Sequence, residues 1–386
     1  MILSSPVRLR FQILFFTIAR TIVNTGIRMV YPFLPAIARG LGVEIESVTL
    51  AITARSALGF IGPVLGSLAD RLGRKMAMLS GLALYSAGLT LVAFWPTFAA
   101  FFLALVLSGI GKIVFDASVQ AYVGDRVPRS KRGLAVGLIE FGWSGAFLIG
   151  IPAVGWVIAR AGWSAPFPLL AALVLAAGII LWRIIPGGKP QADSRPPFFY
   201  SIRVILTRRV AFAALLAGAL ISASNEVINI VFGLWMEDAF GLQIAALGIA
   251  SAVIGIAELG GEGLVVSLTD RLGMRRSVVF GIAANIFTSL ALPLLGTSIT
   301  GALLGLFVFY LTFEFTIVAT IALMTELAPD VRATLMAGNI AFHGLGRVLG
   351  ALIGPLAFAS GMSANGLLAA IFNGIALVLL LLFVRE

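Results

Sequence analysis

The sequence predicts an all-α membrane protein with twelve transmembrane helices in two pseudo-symmetric six-helix bundles. Three observations predict it. Apolar residues make up 60% of the 386-residue chain and charged residues 11%, with a mean hydropathy of +1.07. Twelve apolar runs are each long enough to cross a hydrocarbon layer. A charged loop sequence in the first half returns in the second.

A soluble domain averages about 45–50% apolar and 25% charged residues. A water-soluble chain of this length could not hide so large an apolar excess, whereas a bilayer solvates it. At roughly 20 residues per span, the length suits about twelve membrane helices with short loops. The 43 glycines follow no collagen-like period and fit close helix packing in lipid. With no cysteine, disulfides, thiolate metal sites and cysteine nucleophiles are excluded. The single histidine leaves no His-rich metal cluster. The first apolar run lacks a small-residue cleavage site and continues into a full span, so no cleavable signal peptide is expected.

The runs fall at 11–37, 47–68, 76–94, 98–123, 133–158 and 163–184, then at 210–236, 244–267, 277–296, 300–325, 334–358 and 364–383. Turn residues separate them, as at Trp95-Pro96-Thr97 and Gly296-Thr297-Ser298. Pro and Gly inside runs, as at Gly62-Pro63 and Gly354-Pro355, are compatible with membrane helices, because neighbouring groups satisfy the freed backbone. The longest polar interruption, Pro186 to Arg209, holds GGKPQADSRPP and then the basic amphipathic FFYSIRVILTRR. It divides an N-terminal bundle at 1–185 from a C-terminal bundle at 210–386. The segment 186–209 reads as a cytoplasmic linker ending in a short helix at the membrane surface, where basic residues meet anionic headgroups.

The net charge of +10 raises the question of nucleic acid, and the placement of the charges answers it. Most of the 27 lysines and arginines lie at chain ends and loops assigned to one side, such as Arg71, Arg74 and Lys75, or Arg126, Arg129, Lys131 and Arg132. Arg39 and Arg160 fall on the other side. This is the positive-inside pattern of a multi-pass protein of the inner (plasma) membrane with both termini cytoplasmic, and it leaves no basic surface for nucleic acid.

SLADRLGRK at 67–75 returns as SLTDRLGMR at 267–275, and DRVPRSKRGLAVGLIEF at 125–141 parallels ELAPDVRATLMAGNIAF at 326–342. Two landmarks at almost the same offset, each in a loop between corresponding spans, indicate duplicated six-helix halves. Parallel repeats of this kind are a transporter architecture, with the substrate path between the halves.

The loop Gly66-Ser67-Leu68-Ala69-Asp70-Arg71-Leu72-Gly73-Arg74-Lys75 resembles the G-x-L-a-D-r-x-G-r-k signature of the major facilitator superfamily. Its repeat keeps Asp270, Arg271 and Gly273 and has Met274 where the arginine would stand. Tyr31-Pro32-Phe33-Leu34-Pro35 with Leu41-Gly42 resembles the end of the first span in the drug-exporter branch. Two stretches depart from that branch: LALVLSGIG at 103–111 lacks its fourth-span arginine, and GAFLIGIPAVG at 145–155 is a loose version of its fifth-span glycine motif. The resemblance implies a carrier working by alternating access, a cavity lined by the first, fourth, seventh and tenth helices, and a conformational latch at Gly66, Asp70, Arg71, Gly73, Arg74, Asp270, Arg271 and Gly273. A plain helix-end turn, with Gly73 and Gly273 at positive φ, explains the glycines but not the repeated acid-base pair.

Ionisable groups inside a bilayer are costly, and each is a functional candidate. Arg20, Asn24 and Arg28 recur every four residues and give the first span one polar face. Guanidinium groups there suit a carboxylate or phosphate on the substrate, or else pair with acids of the other half. Asn225, Glu226 and Asn229 give the seventh span a polar face. Lys112 and Asp116, at i and i+4, form with Arg20 and Glu140 a network that is either neutral and structural or exchanges a proton at Asp116. Arg55, Glu258 and Arg347 extend the charge network, with Glu314–Arg347 a plausible pair and Glu262 a structural partner near the cytoplasmic loop. An unpaired buried carboxyl can carry a proton, which makes Glu226 and Glu314, beside Asp116 and His343, the coupling candidates.

No P-loop is present, because Gly111-Lys112 lacks the upstream glycine spacing and the following Ser or Thr. No catalytic triad suggests itself, and neither an enzyme nor a cofactor is expected. The expected function is secondary transport: export of small amphipathic molecules coupled to inward proton movement, by a monomer in contact with membrane lipids. Uptake or flipping of an anionic or lipid-like substrate is the alternative within transport. A non-transporting receptor or sensor, and a channel, are the alternatives outside it.

Overall fold

The structure, a computed structural model, describes residues 6–62, 64–65, 71–187, 207–327 and 332–384. Among them it is helical throughout, and ten helical segments are long and apolar enough to cross a membrane. The expected surface helix at 198–209 lies almost wholly outside the described residues.

The first span is two helices, α1 (Pro6–Arg28) and α2 (Leu34–Leu41), broken at Met29–Phe33. Pro32 sits in the break and Pro35 in the first turn of α2, where a missing N–H costs nothing. The span is less uniformly apolar than its neighbours because α1 carries Gln12, Arg20, Asn24 and Arg28. The second span starts with α3 (Ile45–Ala57) and tightens into a 3₁₀ turn at Leu58–Ile61. Then come α4 (Arg74–Phe94) and α5 (Phe98–Arg126), the latter capped by Thr97, whose hydroxyl accepts from the Ala100 amide. The fifth span runs α6 (Arg129–Gly145), a π-helical turn (Ala146–Gly150) and α7 (Ile151–Ala161). Pro152 has no N–H to return to the preceding turn, and the wide turn before it takes up the mismatch. The sixth is α8 (Pro166–Ile184).

The second half repeats the plan. Its first span is again interrupted, as α9 (Arg209–Asn229) and α10 (Phe232–Phe240). α11 (Ile244–Leu272), α12 (Met274–Leu295), α13 (Ile299–Leu327), α14 (Arg332–Phe358) and α15 (Met362–Phe383) follow. The packing is pseudo-symmetric: α4 on α5 and α8 matches α12 on α13 and α15, while α1 on α6 matches α9 on α14. Buried polar side chains fasten each bundle. In the first, Gln12 donates to the Ile184 carbonyl (2.9 Å) and Tyr85 to that of Val23 (2.7 Å). In the second, Asn373 donates to Ser224 and to Asn285, both at 2.7 Å, tying α15 to α9 and α12.

The halves meet along α7 and its π turn against α11, and along α3 with its 3₁₀ turn against α14. Close approach is set by glycine: a Cβ at Gly59 would stand 3.3 Å from the Gly344 Cα, and one at Gly155 3.1 Å from the Gly248 Cα. At the end remote from the termini, α2 touches α10 and Arg39 pairs with Glu237 at 2.6 Å. Toward the other end, the glycines of α6 and α11 at Gly137 and Gly263 have nothing near a built Cβ.

Candidate substrate and coupling site

The mid-depth charges fall into three groups. The first lies within the N-terminal half. Arg20 on α1 reaches Glu140 on α6 at 2.6 Å and Asp116 on α5 at 3.3 Å, and Lys112 pairs with Asp116 one turn away. Gly142 lets α1 lie close enough: a Cβ there would stand 2.8 Å from the Arg20 Cβ. Two cations face two carboxylates, so the group is balanced.

The second group spans both halves. The Arg28 guanidinium holds Glu258 on α11 with two parallel bonds of 2.9 and 2.5 Å, and donates to the Trp143 carbonyl at 3.1 Å. It lies between the rings of Trp143 and Phe147, 4.0 and 3.9 Å from their centroids. Both charged side chains are buried, 5% and 2% exposed. Glu262, one turn on from Glu258, accepts from Ser144 of the other half at 3.1 Å. Its place is therefore the interface between halves rather than the loop end. Glu314 on α13 packs against α11 where Gly261 makes room, its Cβ 2.7 Å from a Cβ built there. The charges acting on it are those of Glu258, Glu262, Arg28 and Glu140. Arg347 is not among them, so the expected Glu314–Arg347 pair is not formed. Although α13 packs directly on α14, Glu314 lies beside the acids of α11. One cation thus serves three carboxyl groups among the described residues. They do not converge as a metal-binding group.

The third group is basic. Arg55 on α3 donates to the Ile27 carbonyl (2.8 Å) and the Tyr31 hydroxyl (3.3 Å), and so braces the break in the first span. Glu226 on α9 is buried, and its Oε1 has no hydrogen-bond partner; Arg347, Tyr31, Arg55 and Asn229 are the groups that act on it. Arg347 is exposed, makes no ion pair among the described residues, and stands 5.9 Å from the Trp143 ring.

Asn24 donates to the Gly142 carbonyl at 3.0 Å and leaves its Oδ1 buried without a partner. The Asn225 Nδ2 is likewise without one, and Asn229 accepts from Tyr310 at 2.8 Å. His343 shares a hydrogen bond of 2.6 Å with Ser222, inside the second half. Of the latch residues, Gly66 and Asp70 lie outside the described residues, as does the side chain of Asp270. Gly73 and Gly273 take φ of +80° and +84° at equivalent turns, conformations that favour glycine. Arg71 and Arg271 are exposed, and Arg74 pairs with Asp125 at 3.0 Å.

Sequence reasoning missed Trp143, Ser144 and Asp125 as site residues, and it placed Glu262 near the loop rather than at the interface. A signal for the first two existed: Glu140, Trp143, Ser144 and Phe147 recur at three- and four-residue spacing and mark one face of the fifth span. Asp125 stands in a repeated loop, opposite Glu326 in the second copy.

A family model described as Major Facilitator Superfamily matches residues 16–312 and 214–386. The chain is 24% identical over 350 residues to the uncharacterized MFS-type transporter YceJ of Bacillus subtilis (strain 168), covering 90% of this chain and 89% of that one. It is 24% identical over 361 residues to the inner membrane transport protein YdhP of Escherichia coli (strain K12), covering 92% and 90%. The fold is similar to the crystal structure of a bacterial homolog of the human lysosomal transporter Spinster in an inward-facing, unoccupied conformation. Their TM-score is 0.76 at 17% identity, over 97% of this chain and 96% of that one. The chain belongs to the major facilitator superfamily: it is a multi-pass membrane transporter of the secondary type, and not an enzyme.

Proposed function

We propose that this transporter exports small amphipathic molecules in exchange for protons, by rocking of its two halves, and that α11 and α13 hold the coupling carboxyls. The acidic group carries the reading: Glu258, Glu262 and Glu314 share the one cation Arg28 among the described residues. Uncompensated negative charge at mid-depth is expensive, and a proton is the smallest particle that relieves it. Because Glu262 and Glu258 both bond to the opposite half, taking up a proton there loosens the interface while losing one restores it. Glu314 leads the coupling residues, with Glu262 beside it. Asp116 is held between two cations and serves to fix α1, α5 and α6. Glu226 and His343 are secondary candidates.

The rocking units are 1–185 and 210–386, joined by the linker 186–209. Both termini face the cytoplasm at the inner membrane, and the monomer is the working unit. Asp70 with its arginine-rich loop, and its copy at Asp270, latch the alternate state. Arg20 and Arg28 are occupied by acids in the present state, so Asn24, Asn225 and Asn229 remain to meet the substrate's polar groups.

The test uses proteoliposomes loaded with a pH dye and a panel of amphipathic compounds of positive, neutral and negative charge. Uphill movement of a panel compound driven by an imposed pH gradient is expected in the native protein. Glu314→Gln should abolish uphill movement yet keep compound-for-compound exchange. Uphill transport surviving in both Glu314→Gln and Glu262→Gln would reject this coupling site.

A further inference from the structure

The acidic group's counterpart is the basic one, where two cations, Arg55 and Arg347, face the single carboxyl of Glu226. Arg55 is buried and spent on the Ile27 carbonyl and Tyr31. Arg347 is not. Its direction follows from helix geometry. Leu345, Leu352 and Leu356 are exposed and mark the lipid side of α14. Gly344 touches the 3₁₀ turn of the second span, and Gly350 touches α9. At 100° per residue, Arg347 projects between these two contacts and away from the leucines, into the cleft between halves. Its guanidinium lies near Trp143 of the opposite half, across that cleft.

Trp143 is itself unusual. Cations from three helices approach its ring: Arg28 at 4.0 Å, Lys112 at 5.8 Å and Arg347 at 5.9 Å. Arg28 is neutralised by Glu258 and Lys112 by Asp116. Arg347 alone of the three has no acid partner among the described residues. The indole is only partly buried, so part of its surface stays open.

We propose that Arg347 and Trp143 form the head site for an organic anion: a carboxylate, phosphonate or sulfonate seats on the Arg347 guanidinium, and the attached apolar or aromatic body lies on Trp143. A planar guanidinium matches such a group with two parallel hydrogen bonds. The anion supplies the charge this group lacks, and the two residues come from different halves, so the ligand bridges them. The assignment rests on the cleft being the substrate path of the proposed exporter and narrows its cargo to amphipathic anions.

The test measures binding by calorimetry to the full chain in lipid nanodiscs, with three probes of one shape: 1-naphthoate, 1-naphthylmethanol and 1-naphthylmethylammonium. Naphthoate should bind the native protein about tenfold or more tighter than the other two. Arg347→Gln should erase that preference and leave naphthylmethanol within about twofold, which also shows that the variant is folded. Arg347→Lys should keep part of it, and Trp143→Leu should weaken all three. Absence of naphthoate binding, tighter binding of the ammonium probe, or an unchanged naphthoate preference in Arg347→Gln would each overturn the assignment. Binding needs no pH gradient, so failure of the head site is separable from failure of proton coupling.

Discussion

Arg28 shows what one side chain does when a bilayer, rather than water, is the alternative. It is tied to Glu258 by two bonds, covered by two aromatic rings, and set between the halves. Deleting one partner of a buried pair leaves the other charge unmatched, a loss of about 3–5 kcal/mol, whereas deleting both is far milder. Arg28→Met and Glu258→Met should each lower the thermal unfolding midpoint in detergent, and the double variant should recover most of the loss. Additive losses would mean that the two side chains act independently. The sequence made some of this legible. Lys112 and Asp116 face each other from spacing alone, and Arg20 completes their group because polar residues at matching depth seek one another. The partner of Arg28, 230 positions away, was not legible, since acids on several helices stood at similar depth and tertiary geometry chose among them. The same ambiguity produced the expected Glu314–Arg347 pair, whereas Glu314 lies beside Glu258 and Glu262.

Helices were legible as runs, and their interruptions less so. A twenty-residue apolar window reports length but not whether the axis is continuous. The break at Met29–Phe33 is marked by Pro32 and Pro35, yet the matching break after Asn229 has no proline to announce it. The seams between helices were visible only as abundant glycine. On α14, Gly346, Gly350 and Gly354 form a row against α9. Such rows replace the hydrophobic drive, which is missing in lipid, with close backbone contact. A Cβ at Gly350 would stand 2.6 Å from the Glu226 Cβ and 2.8 Å from the Ala223 carbonyl oxygen. Gly350→Ala must therefore push α14 away from α9 and shift Glu226 with it, at about 1–3 kcal/mol for the overpacking. Scanning fluorimetry should show the lowered midpoint, and initial transport rates should fall. The control Gly374→Ala, in open space on α15, should leave both unchanged. Equal behaviour of the two variants would deny the seam its role.

At the scale of the molecule, the contacts between halves among the described residues are uneven. They run from mid-depth to the end remote from the termini: Gly59 on Gly344, Gly155 on Gly248, α2 on α10, and Arg39 to Glu237. A cycle of alternating access must part these contacts. The Arg39–Glu237 pair is exposed on the arginine side, so it adds little stability by itself and serves rather as a marker of closure. The backbone beneath it is tighter: a Cβ at Gly233 would collide with the Pro32 and Tyr31 carbonyl oxygens. The chain has no cysteine, so a pair introduced by Arg39→Cys with Glu237→Cys reports only this contact. In membranes treated with a mild oxidant the pair should cross-link, stop transport, and regain it on reduction. Gly233→Val, added to the same background, should hold this end apart and reduce cross-linking several-fold without unfolding the protein. Full transport by the cross-linked protein would show that the halves need not separate here, and a cross-link indifferent to Gly233→Val would move the closing contact elsewhere.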